Sequence, residues 1–61
     1  MKEIIMNMLD DGSKLMLGVD NMEVEVSKEN IIKSDKDKLI VKNNHLVIMI
    51  DLDTVKYFKF K

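Results

Sequence analysis

Aspartates recur two apart at Asp35/Asp37 and again at Asp51/Asp53, a spacing that can present carboxylate oxygens to a hard cation such as Mg²⁺ or Ca²⁺. Neither pair amounts to a site. A calcium loop needs further acidic positions and a following glycine, and Lys36 and Lys38 stand where ligands would be wanted. Asp51 is therefore read as the cap of a short turn, Asp35 and Asp37 as part of a solvated loop, and no metal is expected. His45 is the only histidine, so there is no imidazole pair for a metal and no relay partner. A hydrolytic arrangement would have to draw its nucleophile from Ser13, Ser27, Ser34 or Thr54, with His45 as base and an aspartate to orient it, and the spacing marks none of them as activated. A chain of 61 residues also has little volume for an enclosed pocket of the usual ~300 Å³ or more. The expectation is a protein that is not an enzyme and carries no cofactor.

One stretch could bind rather than react. Lys56-Tyr57-Phe58-Lys59-Phe60-Lys61 interleaves cations with aromatic rings, a composition that can follow phosphates and stack on bases, and it makes Lys56, Tyr57, Phe58 and Lys59 the candidate ligand contacts. Against this stand a net charge of −1 and the absence of arginine, the preferred bidentate reader of phosphates and bases. The same alternation also describes an amphipathic terminal strand whose lysines protect an edge.

Length and composition bound the rest. The chain is a single domain, residues 1–61, near the lower limit for autonomous folding, where roughly 60% of the unfolded surface is buried. With no cysteine, neither a disulfide nor a thiolate metal site can reinforce so small a core, which leaves self-association as the remaining support. No basic segment followed by an apolar run opens the chain, and Leu46–Ile50 is far short of the ~20 apolar residues of a membrane helix, so a cytoplasmic protein is expected. Ten lysines stand beside no arginine, alanine or proline, which suggests an AT-rich gene and a low-GC bacterium or its phage as the source.

The elements that must position these residues read as strands. Leu46 to Ile50 is apolar throughout, too short for an ordinary helix, and predicts a strand buried on both faces. Asp51-Leu52-Asp53-Thr54 then predicts one tight turn before a strand over Val55–Phe60. Met1–Leu9 fits either period: Ile4, Ile5, Met8 and Leu9 fall at helical spacing, while Ile4, Met6 and Met8 alternate as in a strand. Asp11-Gly12 between two apolar stretches is a strong hairpin signal and favours the strand, followed by a second over Lys14–Val19. The alternative is a short N-terminal helix. Asp20-Asn21 predicts a turn, and Met22 to Val26 alternates cleanly, with Met22, Val24 and Val26 inward and Glu23 and Glu25 solvated. Ile31-Ile32 begins a short strand, Ser34–Lys38 reads as the most polar loop, Leu39–Val41 as a strand, and Asn43-Asn44 as a tight turn. Six or seven short strands with no room for a crossover helix imply an all-β fold with antiparallel pairing, either a small barrel or a strongly bent sheet.

The order of Val47–Ile50, Leu52–Thr54 and Val55–Phe58 resembles the last two strands of Sm-like and other SH3-like small barrels, where an apolar strand passes through a one-turn 3₁₀ helix into a final strand. The resemblance covers about a quarter of the chain and implies a barrel able to form a ring. The loop residues that mark the Sm-like RNA binders have no counterpart here, because Asn43 and Asn44 precede the apolar strand and no arginine follows.

Large apolar side chains fall on both faces of several strands: Leu15 and Leu17 against Met16, Leu46, Ile48 and Ile50 against Val47 and Met49, and Tyr57 against Phe58 and Phe60. A small barrel has only one interior, so the outer set predicts a homo-oligomer with Val47, Met49, Tyr57 and Phe60 at its interface. The functional expectation is a small oligomeric binding protein, plausibly phage-encoded, that holds an anionic ligand such as a nucleotide or short oligonucleotide between subunits, for instance as a sponge for a host signalling nucleotide. Two alternatives stand beside it: a protein-protein inhibitor of a host enzyme, acting through its apolar or acidic face, and an Sm-like RNA-binding ring.

Overall fold

A computed structural model describes residues 1–61 as a helix α1 (Lys2–Asp10) and six strands: β1 (Leu15–Val19), β2 (Met22–Val26), β3 (Ile31–Asp35), β4 (Lys38–Asn43), β5 (Leu46–Asp51) and β6 (Val55–Phe60). A 3₁₀ turn over Leu52–Thr54 joins the last two. The strands form two antiparallel sheets, ordered β2-β1-β6 (sheet A) and β3-β4-β5 (sheet B). The fold is mostly β, as expected, but the two sheets are not closed into a barrel.

Met1–Leu9 is not a strand, and Asp11-Gly12 is not a hairpin turn. The residues form α1, which buries Ile5 and Leu9, four apart on one helical face, against the core. Gly12, at φ +93°, ends it: the Gly12 N–H donates to the Leu9 carbonyl at 3.0 Å and the Ser13 N–H to the Met8 carbonyl at 3.0 Å, the paired bonds of a Schellman cap. A left-handed glycine serves a helix end as well as a hairpin, so the dipeptide by itself fits both. Replacing Gly12 by alanine forces a Cβ into that conformation, and chemical denaturation should show a loss of about 1–2 kcal/mol.

The hairpins follow from left-handed residues at their tips. Asp20 (φ +51°) turns β1 into β2, Lys36 (φ +53°) turns β3 into β4, and Asn44 (φ +58°) turns β4 into β5. Ser34–Lys38 is therefore not a loop but the tip and flanks of a hairpin, with Asp35 paired to Lys38. Its polarity reflects exposure. The turn at the other end of β4 occupies Asn44-His45, one residue later than expected, with Asn43 opposite Leu46.

One core joins the helix to both sheets: Ile5 and Leu9 from α1, Leu15, Leu17, Val24 and Val26 from sheet A, Leu39, Val41 and Ile50 from sheet B, with Leu52 and Val55 at the junction. Met22 does not join it; at the mouth of β2 it stays half exposed. Nor is Leu46–Ile50 buried on both faces. Ile50 is buried and Ile48 half-buried, but Val47 and Met49 are 57% and 65% exposed because nothing covers the outer face of β5, and Leu46, on the inner face but at the hairpin end of the strand, is 60% exposed.

Candidate functional site

The four candidate contacts lie on β6 but do not share a face. Tyr57 and Lys59 stand on the outer face of sheet A, whereas Phe58 turns inward, half-buried, opposite Leu17. Lys56 occupies a bulge: the register moves from Gly18 with Tyr57 to Val19 with Val55, so Lys56 has no opposite residue on β1 and its side chain is exposed without a carboxylate partner. A rigid cluster of all four is not formed.

What the outer face does form is a cross-sheet contact around Gly18. Glycine at this point of β1 leaves room for the Tyr57 ring from β6 to lie across the strand; a Cβ there would fall inside the ring's contact distance. The ring reaches the third strand, where Tyr57 Oη donates to Glu23 Oε2 at 2.6 Å. Lys59 Nζ approaches the same oxygen at 3.2 Å, and one step along the sheet Lys61 Nζ bonds Glu25 Oε1 at 2.9 Å. Glu23 and Glu25 are thus partners of the terminal strand rather than a free solvated face.

The electrostatics follow from that geometry. The hydrogen bond from Tyr57, then that from Lys59, holds the Glu23 carboxyl below the ordinary carboxylate value, and the same bond to Glu23 raises the Tyr57 hydroxyl above its ordinary value. Glu23, depressed in the folded state, supports the fold above its unfolded pKa, and that support fades as the pH falls through the folded value. For Tyr57 the sign is reversed: the support is present below its unfolded pKa and fades as the pH rises through the folded one. Tyr57 is the only tyrosine, so ultraviolet absorbance reads its ionisation directly. It should titrate above free tyrosine, and Glu23→Gln should bring it down toward the ordinary value; an unchanged titration in the variant would remove the contact.

A second polar constellation escaped the sequence reading. Asn30, after β2, accepts from the Ser27 N–H at 2.9 Å through Oδ1, while its Nδ2 donates to the Glu25 carbonyl at 2.8 Å and to Asn43 Oδ1 at 2.6 Å. Asn43 Nδ2 reaches the same carbonyl at 3.3 Å, and the Lys42 N–H donates to the Asn30 carbonyl at 2.9 Å. These bonds pin the end of sheet B to the open edge of β2. Asparagine beside polar neighbours signalled turns, and only the return of β4 toward β2 reveals the pair.

Beside it an open groove of about 500 Å³ runs between the sheets, lined among others by Lys14, Glu23, Glu25, Glu29 and Lys42. Acidic groups outnumber the cations there. No group of three or more His, Cys, Asp or Glu side chains converges as a metal site, and Asp37 and Asp53 instead share Lys2, at 2.8 and 3.3 Å, tying α1 to the β3-β4 turn and the 3₁₀ turn. Asp51 caps that turn by accepting from the Asp53 N–H at 3.0 Å, and His45 is exposed at its hairpin tip. No helix is long and apolar enough to cross a membrane. Compared with family models, with curated proteins and with solved structures, the chain matches none of them.

Proposed function

We propose that this chain is a non-enzymatic binding protein that self-associates and acts by occupying a surface of another protein. The observation that carries this reading is the pairing of Glu23 with Tyr57 and Lys59. The groups best suited to an anion already hold a carboxylate, and together with Glu25 and Lys61 they make a shallow face of alternating charge on a rigid sheet. Such a face matches a complementary protein surface better than a nucleotide phosphate, which would have to displace Glu23. Inhibition of a host enzyme is one form this occupancy can take.

The anionic-ligand reading keeps one specific support. Lys56 projects from its bulge without a carboxylate partner, beside Tyr57, and several copies brought together in an oligomer would pool such lysines around one nucleotide or oligonucleotide.

Native mass spectrometry of the protein isolated from its host separates the two, since it reports subunit number, retained small molecules and protein partners together. The expected species holds the chain in more than one copy, bound to one protein and free of nucleotide, and loses that protein on Glu23→Lys. A retained nucleotide, or a thermal shift with nucleotides abolished by Lys56→Ala, assigns the second reading. Bare chain with neither response overturns both.

A further inference from the structure

Two open sheets leave four strand edges unpaired: β2 and β6 in sheet A, β3 and β5 in sheet B. Three of them carry a device that discourages further pairing. β3 is bent by an extra residue at Ile32 and bears Lys33 and Asp35. β6 has its bulge at Lys56, with Lys59 further along. On β2 the Glu25 carbonyl is already taken by the Asn30 and Asn43 amides. On β5 only the carbonyl of Asp51, at its end, is engaged, by the Thr54 hydroxyl at 2.8 Å. Leu46–Ile50 contains no charge and no proline, and its register with β4 is unbroken from Asn43/Leu46 to Lys38/Asp51.

The backbone of β5 also faces the right way. Because the Lys42 N–H donates to Asn30, on the β3 side of β4, the two-residue alternation of an antiparallel ladder turns Val41 and Asn43 toward β5. Their opposite residues, Ile48 and Leu46, bond back to β4. Val47 and Met49 therefore direct their N–H and C=O groups to the open edge, as Asp51 does its N–H, while its carbonyl already accepts from the Thr54 hydroxyl at 2.8 Å.

The geometry points to β5 as the seam of a two-fold homodimer, in which two copies pair antiparallel, edge to edge, and the two sheets B become one continuous sheet. Charge and side-chain pattern select the register. With Ile48 on the two-fold axis, Val47 faces Met49 of the second copy, Leu46 faces Ile50, and the Asp51 carboxylate faces the exposed His45, twice over by symmetry. On the outer face Ile40, Met49 and Val47 then join their symmetry mates in one apolar stripe. The neighbouring registers do worse: with Met49 on the axis Val47 meets Asp51, and with Val47 on the axis Met49 meets His45. Asp51 has capacity for the added contact, since its Oδ1 accepts from Asp53 N–H and its Oδ2 lies a long 3.6 Å from Lys38 Nζ. Pairing also sets Leu46, Val47 and Met49, the most exposed apolar run in the chain, beside apolar residues of the second copy.

This seam shares with the proposed function only the premise of self-association, and it stands or falls whichever partner the outer face of sheet A takes. The chain has no cysteine, so single introduced cysteines report register without background. Under mild oxidation Ile48→Cys should form a covalent dimer, because a non-hydrogen-bonded pair on the axis brings its two Cα atoms to about 4.5 Å, whereas Val47→Cys and Met49→Cys should stay uncrosslinked. Sedimentation should give a dimer for the unmodified chain and a folded monomer for Val47→Pro, whose ring removes an N–H that points to the open edge: the single chain keeps its β4-β5 ladder, while the seam loses a hydrogen bond on each side of the axis. This second measurement holds even if the cysteine in β5 disturbs folding. A monomeric parent chain, a ring larger than a dimer, or crosslinking led by position 47 or 49 overturns the proposal.

Discussion

Leu17→Ala is expected to remove a large share of the chain's stability, enough to abolish its cooperative unfolding transition if the parent stands at the low end of the range for its length. Leu17 is fully buried at the centre of β1, opposite Val24 on one side and Phe58 on the other, so truncation opens a cavity lined by both neighbouring strands. Leu→Ala changes of this kind cost about 2–5 kcal/mol. A domain of this length holds only about 3–9 kcal/mol in total, at roughly 0.05–0.15 kcal/mol per residue. The upper half of the first range therefore consumes the whole margin at the low end of the second and about half of it at the high end. Leu46→Ala, the same truncation at an exposed site, should be close to neutral in the monomer, and thermal melting followed by circular dichroism compares the two. A sharp, nearly unshifted transition in Leu17→Ala would show that the core collapses around the loss.

The second large effect is expected from one isosteric change, Asn30→Asp. The amide donates to both the Glu25 carbonyl and Asn43 Oδ1. A carboxylate can donate to neither, and it sets oxygen against oxygen in a half-buried site. If the Asn43 amide turns to answer the new carboxylate, the Glu25 carbonyl loses that donor too. The loss is expected at about 1–3 kcal/mol, the range for a buried polar group left unsatisfied. Protonating the introduced carboxyl restores one donor, so the deficit should shrink as the pH falls. Urea unfolding at neutral and acidic pH, with the parent chain measured alongside, tests both parts; equal stability at neutral pH would mean that the amide pair does not hold the sheets together.

The strands were legible because each depends on neighbours in sequence: alternation in Met22–Val26, an unbroken apolar run at Leu46–Ile50, and turns at Asp20-Asn21 and after Asp51. The start of the chain was not. Ile5 and Leu9 already stood at helical spacing, yet Gly12 fits a Schellman cap and a hairpin equally well, and local sequence contains nothing that separates the two. The site was less legible still. Glu23 looked like a solvated residue on an alternating strand, and its two partners come from the far end of the chain across Gly18. The Asn30-Asn43 pair joins residues whose types announce turns, and its bonds exist only once β4 has returned to β2. The candidate residues on β6 were found by composition, but the bulge that separates Lys56 from Tyr57 and Lys59 depends on pairing with β1.

That pairing has a consequence in time. β1 is the middle strand of sheet A, and its partner on one side is Phe60 back to Val55, at the opposite end of the chain. Closing so long a loop before any contact rewards it makes assembly slow for so small a domain. Until β6 docks, the hairpin of β1 and β2 shows its Met16-Gly18 edge and half of an unfinished core to its surroundings, which makes that interval the most aggregation-prone of folding.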